Sequence, residues 1–375
     1  MKFKQYIWAL YLMVFPFYFM NPGDPQVADL FGAILVLTSL KQIILSIKAN
    51  RFNRFLFLFV MYALIVSIVT VFLWHDVMLI KNGLYYLYGY FIIMFLYSKF
   101  DDNDFLKFTL KTIGVVLIIQ LLLYPFAPST GIRAQMFFTN PNQLALWALC
   151  MLIISNVIAT KVQATFLHTF ILALLCSFFI FISASKSALV GAIIFWGYFF
   201  IQSKKYMVII APLVLFALIF VVSTKELDLS NIDFVNNVIE RINEKKTSHN
   251  QGVHGRGYDR IYRFPEYLLF GAGEGNYERF GSHLELHSTF FSILFSYGVI
   301  GLYLILYGIF SIFKGSDRQT IVLFTALFMY SLMHMALRSP FFWMTLLALN
   351  QLRYYKTKTI EPLTNNEEAH LHSWR

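Results

Sequence analysis

Apolar residues run along this chain in long blocks, several of them about 17–25 residues, divided by short polar connectors. A helix of that length crosses the ~30 Å hydrocarbon core of a bilayer. Hydropathy marks about twelve such helices, over 6–20, 27–47, 55–75, 77–98, 105–127, 141–159, 165–183, 187–203, 206–223, 286–312, 319–337 and 340–355. The pattern predicts an all-α, polytopic integral membrane protein with one large extracytoplasmic loop. Residues 1–223 carry the first nine spans, 224–284 the loop with short helices, 285–355 the last three spans and 356–375 a polar tail. Lys2 and Lys4 ahead of the first apolar run imitate a signal peptide. No small-residue cleavage site precedes Asn21-Pro22-Gly23-Asp24-Pro25, so the run reads as an uncleaved span.

Composition narrows the class. Apolar residues make up 58% of the chain and charged residues 13%, where soluble domains carry roughly a quarter. A soluble globule, a disordered chain and a nucleic-acid binder are all poor fits. The net charge of +10 then reports topology. With the N-terminus inside, fifteen Lys and Arg fall in inner segments, among them Lys48, Arg51, Arg54, Lys161, Lys314 and Arg353. The short outer loops hold three: Arg133, Lys186 and Arg338. That bias puts both termini in the cytoplasm and 224–284 outside. Cys150 and Cys176 lie far apart in apolar blocks and form no metal or redox motif.

The outer segment changes character, with eight basic and nine acidic residues. Ile232, Val235, Val238, Ile239 and Ile242 recur there at helical spacing. Such a helix packs on the bundle or lies in the membrane interface, and the pattern allows both.

Arg133, Lys186 and Arg338 oppose the topology signal. Singly, each is explained by an ion pair or by snorkelling to headgroups. Together with Arg256, Arg260, Arg263 and Arg279 they point to an anionic ligand, because the guanidinium fork donates two hydrogen bonds to phosphate at once. Three motifs surround them. In Gly131 to Ala145, Asn140-Pro141 fits a helix cap and first turn but leaves Arg133 unexplained. Ser183-Ala184-Ser185-Lys186-Ser187 is a tight polar turn. The third runs Gly255-Arg256-Gly257, then Gly271-Ala272-Gly273-Glu274-Gly275-Asn276-Tyr277, then His283-Leu284-Glu285-Leu286-His287, with Gly298 and Gly301 beyond. Gly-rich turns let backbone N–H groups approach an anion; an ordinary loop has the same look, and no strand precedes it to make a dinucleotide fold. His283 and His287 have a metal-ligand spacing, but only Glu285 offers a further ligand. His is also the side chain best poised to accept a proton near neutral pH.

Arg133…Phe138-Thr139-Asn140-Pro141-Asn142-Gln143-Leu144-Ala145, Ser185-Lys186-Ser187 and the Gly271–Tyr277…His287…Gly298…Gly301 series resemble the O-antigen polymerase and ligase family, over roughly residues 115–312. The chain departs from that family at Lys186, where Arg is commoner. The resemblance implies a glycosyltransferase at the outer face of the bacterial cytoplasmic (inner) membrane, working without nucleotide sugar, metal or other cofactor. Its donor would be a glycan on undecaprenyl pyrophosphate and its acceptor another lipid-linked repeat. A flippase and a chain-length regulator would be its partners, alongside membrane lipids, with no nucleic acid. In this scheme His287 is the general base, oriented by Glu285, and Arg133 and Arg256 grip the pyrophosphate. Lys186, Arg260, Arg338, Asn142, Gly273 and Gly275 complete the substrate site. Three rivals stand beside it. They are a ligase that uses a lipid A core acceptor, a lipid-linked oligosaccharide flippase, and a transferase using polyprenyl-monophosphate sugars. The last usually needs paired acids in the first outer loop, where only Asp24 is present.

Overall fold

The computed structural model describes residues 2–20, 24–130, 133–202, 256–281, 285–353 and 355. The expected span 206–223, the apolar helical pattern of 232–242, Gly255, His283 and the tail after 355 lie outside the described residues.

The described residues are mainly helical. In order it forms α1 (Lys2–Val14), α2 (Val27–Ile47), α3 (Arg51–Trp74), α4 (Lys81–Lys99), α5 (Asn103–Leu123), α6 (Pro141–Lys161), α7 (Phe166–Ile182) and α8 (Lys186–Gln202). There follow one turn, α9 (Arg260–Arg263), then α10 (Thr289–Phe313), α11 (Arg318–Met333) and α12 (340–353). Counting the 3-10 turns that extend α4 and α5, six helices among the described residues are long and apolar enough to cross a membrane: α2, α3, α4, α5, α6 and α10. This is the build of a multi-pass membrane protein. Helices α7, α8 and α11 are apolar but shorter.

Side-chain caps set many of the starts. Asn50, Asp102, Asn140 and Asp317 each accept a hydrogen bond from the backbone N–H three residues on, at 2.9–3.1 Å. Each satisfies one of the donors that a helix N-terminus leaves open. Pro141 follows Asn140 as the first residue of α6.

Two expectations need correction. The first helix ends at Val14 rather than reaching 20, because Pro16 has no N–H and disfavours helical geometry at Phe15. The span expected to reach 337 stops at Met333; His334 is extended, and the Thr289 hydroxyl donates to the His334 carbonyl at 2.8 Å while accepting from Ala336 N at 2.9 Å. The expected span 77–98 is met by a 3-10 turn at Val77–Ile80 that runs into α4 at Lys81. In the connector between α5 and α6, outside the expected spans, a two-residue antiparallel ladder, β1 (Ser129–Thr130) with β2 (Arg133–Ala134), fixes Arg133 opposite Thr130.

The bundle is built around α6, which packs against α5, α7, α8 and α11. Fully 89% of its apolar window is buried, against 28% for α2. Helix α3 lies along α10, and α2 along α1 and α4. A separate small core of Ala272, Tyr277, Phe280, Leu286 and Phe295 caps the end at which α10 begins.

The two ends differ in charge. One gathers Lys48, Arg51, Arg54, Lys99, Lys161, Lys314, Arg318 and Arg353 at helix termini. There Lys161 donates to the Phe100 carbonyl and pairs with Asp101 at 2.8 Å. The opposite end carries the connectors that follow α1, α3, α5, α7 and α11.

Candidate functional site

Helix α10 is broken in its interior. Gly298 takes φ +65°, ψ −174°, a conformation open to glycine and costly for other residues. The segment 268–273 laces into the break. Ala272 N donates to Phe295 O and Gly273 N to Ser296 O, both at 2.9 Å, and Val299 N donates to Leu268 O at 2.8 Å. The approach is close: a Cβ on Gly298 would lie 2.2 Å from Leu269 O, and one on Gly271 2.4 Å from Ser296 O. Gly271 and Gly298 therefore serve backbone-to-backbone packing, whereas Gly273 makes room for the Thr70 side chain. The Gly273 amide is spent on a carbonyl, and neither Gly273 nor Gly275 lines the cavity described below.

This lacing delivers Glu274 into the protein with no solvent exposure. A buried carboxylate must be paired, and Glu274 is surrounded by donors. Tyr86 of α4 and Tyr297 of α10 donate to its Oε2, the latter at 2.9 Å. Arg338 Nε donates to its Oε1 at 2.6 Å. Arg338 Nη1 also donates to both oxygens of Glu285, at 2.9 and 3.1 Å. Burial alone would lower the Arg338 pKa; the two carboxylates overrule it and hold the guanidinium firmly charged. Glu285, expected to orient His287, is thus engaged by Arg338.

Above this network opens a cavity of about 370 Å³. Glu285, His287, Arg338 and Asn142 all line it, although they come from the loop before α10, the α11–α12 connector and the start of α6. Aromatic faces of Phe15, Tyr18, Tyr85, Phe138, Trp147 and Tyr330 form much of its wall, with Gln26, Asn82, Asn140 and Gln143 between them. Lys81 and Asp24 pair at 2.5 Å on its rim.

Arg133 stands behind Asn142. Its Nη2 donates to Asn142 Oδ1 at 2.8 Å and its Nε to Ser183 O at 2.9 Å. It ties β2 to the start of α6 and to the α7–α8 turn, so the first two sequence motifs meet at one guanidinium. Tyr330 of α11 donates to the Asn142 carbonyl at 2.7 Å. Arg256 joins from the other side: its carbonyl accepts from His287 N at 3.4 Å and its Nη1 lies 3.7 Å from Met333 Sδ. Partial withdrawal from water and the Arg256 cation hold the His287 pKa below its ordinary value, with Glu285 opposing.

Two further expected residues stand apart, as Gly273 and Gly275 do. Lys186 is exposed at the start of α8 and does not line the cavity. Arg260 is buried beneath the cap, its guanidinium 4.7 Å from the centre of the Tyr277 ring. Sequence reasoning missed Tyr18, Tyr85, Tyr330 and His334 as cavity residues. Each sits in or beside an apolar block and carries no local motif. Among the described residues no cluster of three His, Cys, Asp or Glu is arranged to hold a metal. No protein-family model matches the chain, and no curated protein matches it either.

Proposed function

We propose that this protein is a polysaccharide polymerase, a membrane glycosyltransferase that joins undecaprenyl-pyrophosphate-linked repeat units at the outer face of the bacterial inner membrane. In this reading the bundle has about twelve spans, both termini are cytoplasmic, and the cavity faces outward. The observation that carries the reading is the convergence of Asn142, Glu285, His287 and Arg338 on one cavity, with Arg133 and Arg256 bonded directly to its lining. The cavity lies at the end away from the basic helix termini. Its wall of aromatic faces and side-chain amides also suits sugar rings, which present apolar faces and a rim of hydroxyls.

Chemistry follows from the leaving group. Pyrophosphate departs from the donor's anomeric carbon with the electron pair of the C–O bond, so it needs charge stabilisation more than protonation. Arg256, which has no carboxylate partner among the described residues, supplies a cation beside His287. Arg133 supplies another through the Asn142 side. Preorganised cations in a water-poor site stabilise developing charge strongly. The acceptor hydroxyl forms the new bond to that carbon and passes its proton to the neutral imidazole of His287, a step worth ~10²–10⁴ in rate. Single displacement inverts the anomeric centre. Holding both lipid-linked partners in one cavity supplies the proximity term. Arg338 is occupied by two carboxylates, so its part is to position Glu285 and the wall.

Purified protein given a lipid-pyrophosphate oligosaccharide should lengthen it, and His287→Ala and Arg133→Ala should each stop lengthening. Well-folded variants that both retain near-normal chain growth would end the assignment. Ligase activity is the neighbouring reading and is separated by supplying a lipid A core acceptor. The break in α10 also invites a transporter, since transporters carry interrupted helices at their binding sites. Here the freed backbone groups are bonded by segment 268–273 rather than turned toward a substrate. Translocation in vesicles without lengthening would favour the transporter.

A further inference from the structure

At the end of the bundle opposite the candidate site, a groove of about 600 Å³ opens between α3 and α10. Arg51, Arg54, Lys314 and Arg353 line it, and among the described residues no acidic side chain does. Arg54 is fixed to the wall by donating through Nε and Nη2 to the Lys48 carbonyl, at 3.2 and 3.0 Å. Neither Arg51, Arg54 nor Lys314 has a carboxylate partner among the described residues. Asn50 adds a donor. Its Oδ1 caps α3, while its Nδ2 is buried at the groove without a partner.

Like charges gathered around an open volume raise one another's energy unless an anion sits among them. We infer that this groove binds the phosphate headgroup of an anionic membrane phospholipid. The shared chemistry is a phosphate anion; the argument for a lipid is what adjoins the groove. Tyr303, Tyr307 and Phe310 are exposed on α10 at helical spacing, and Tyr307 and Phe310 form part of the lining itself. The Tyr307 ring also packs on Phe55 of α3, with ring centres 4.1 Å apart. An acyl chain leaving the groove meets a continuous aromatic track along the span. Basic pockets between membrane helices suit anionic headgroups for these reasons.

The test uses the full-length protein, stripped of lipid in detergent and titrated with phosphatidylglycerol or phosphatidylcholine under native mass spectrometry. Phosphatidylglycerol should be retained preferentially. The double variant Arg51→Gln/Lys314→Gln should weaken that retention about tenfold. Lys107→Gln/Lys111→Gln, which removes equal charge from α5, should leave it unchanged. Equal retention of phosphatidylcholine, or equal loss in both double variants, overturns the site. Displacement of phosphatidylglycerol by inorganic pyrophosphate at matched concentration overturns the lipid in favour of a soluble anion. A photoactivatable phosphatidylglycerol on the unaltered protein gives a readout independent of variant folding: it should crosslink to α3 and α10, and labelling confined to other helices sinks the inference.

Discussion

Arg338 reaches across 64 residues of sequence to Glu274, its Nε donating to Oε1 at 2.6 Å, and the carboxylate it meets has no exposure to solvent. Removing Glu274 strands the buried Tyr86 and Tyr297 hydroxyls without an acceptor, about 1–3 kcal/mol each, and leaves Arg338 with Glu285 alone. Glu274→Ala should therefore lower stability by roughly the sum of those costs in thermal or denaturant unfolding of the solubilised protein. Glu274→Gln should cost less, because the amide still accepts from Tyr86 and Tyr297 and Arg338 keeps Glu285. A Glu274→Ala protein as stable as the parent would contradict the network.

Two glycines with similar φ separate strain from collision. Gly298 has φ +65° and backbone atoms of Leu269 where a Cβ would go; Gly315 has φ +78° and open space. Gly315→Ala should cost only the conformational penalty, about 1–2 kcal/mol. Gly298→Ala should cost more, and it should also loosen segment 268–273. Hydrogen exchange at Ala272 and Gly273 would report that loosening, and matching unfolding curves for the two variants would refute it.

His287 sets a pH dependence. Its pKa lies below the ordinary 6.5 because of its partly desolvated position and Arg256. A neutral base works above its pKa, so lengthening should hold steady through neutrality and fall on acidification below that value. Arg256→Gln removes a cation and should shift the acid limb to higher pH. Stability has a matching sign: an unfolded chain takes up the proton first, so folding weakens as pH drops below about 6.5 toward the folded pKa and is untouched above it. An acid limb that stays put in Arg256→Gln would separate His287 from the activity.

Asn142→Asp tests the electrostatics of the cavity without disturbing its frame. The new carboxylate still accepts from Arg133, and the main-chain bond from Tyr330 is unaffected. The melting temperature should move by no more than roughly 2–4 °C. Binding of a lipid pyrophosphate should weaken tenfold or more, because a negative charge now faces the anion and occupies its cation. Unchanged affinity would remove the diphosphate from this part of the cavity.

How much of this could be read from residues alone depends on the range of the force involved. Helix α2 falls on 27–47 as hydropathy predicts, and Asn140-Pro141 opens α6 as local capping requires. Both rest on neighbours in sequence. The end of α1 turned on one proline, and the end of α11 on Thr289, 45 residues from its bond to His334. The glycine-rich series was visible, but its partner was not. Nothing local to Gly271 or Gly273 announces that the space beside the one and the amide of the other belong to a break at Gly298. Arg338 likewise stood out as a misplaced charge, while its engagement by Glu274 and Glu285 needed the connector before α10 to meet the one after α11.

The laced break in α10 bears on how the chain is put into the bilayer. A continuous helix can leave the insertion machinery with its backbone satisfied, but this one emerges with polar groups around Ser296 and Val299 still open, which hydrocarbon penalises. The segment that closes them, 268–273, precedes α10 in the chain and is already synthesised when the helix appears. Membrane integration of this helix and docking of that segment are therefore one event, and a chain shortened or swapped at 268–273 should be caught by quality-control proteolysis before it ever reaches a substrate.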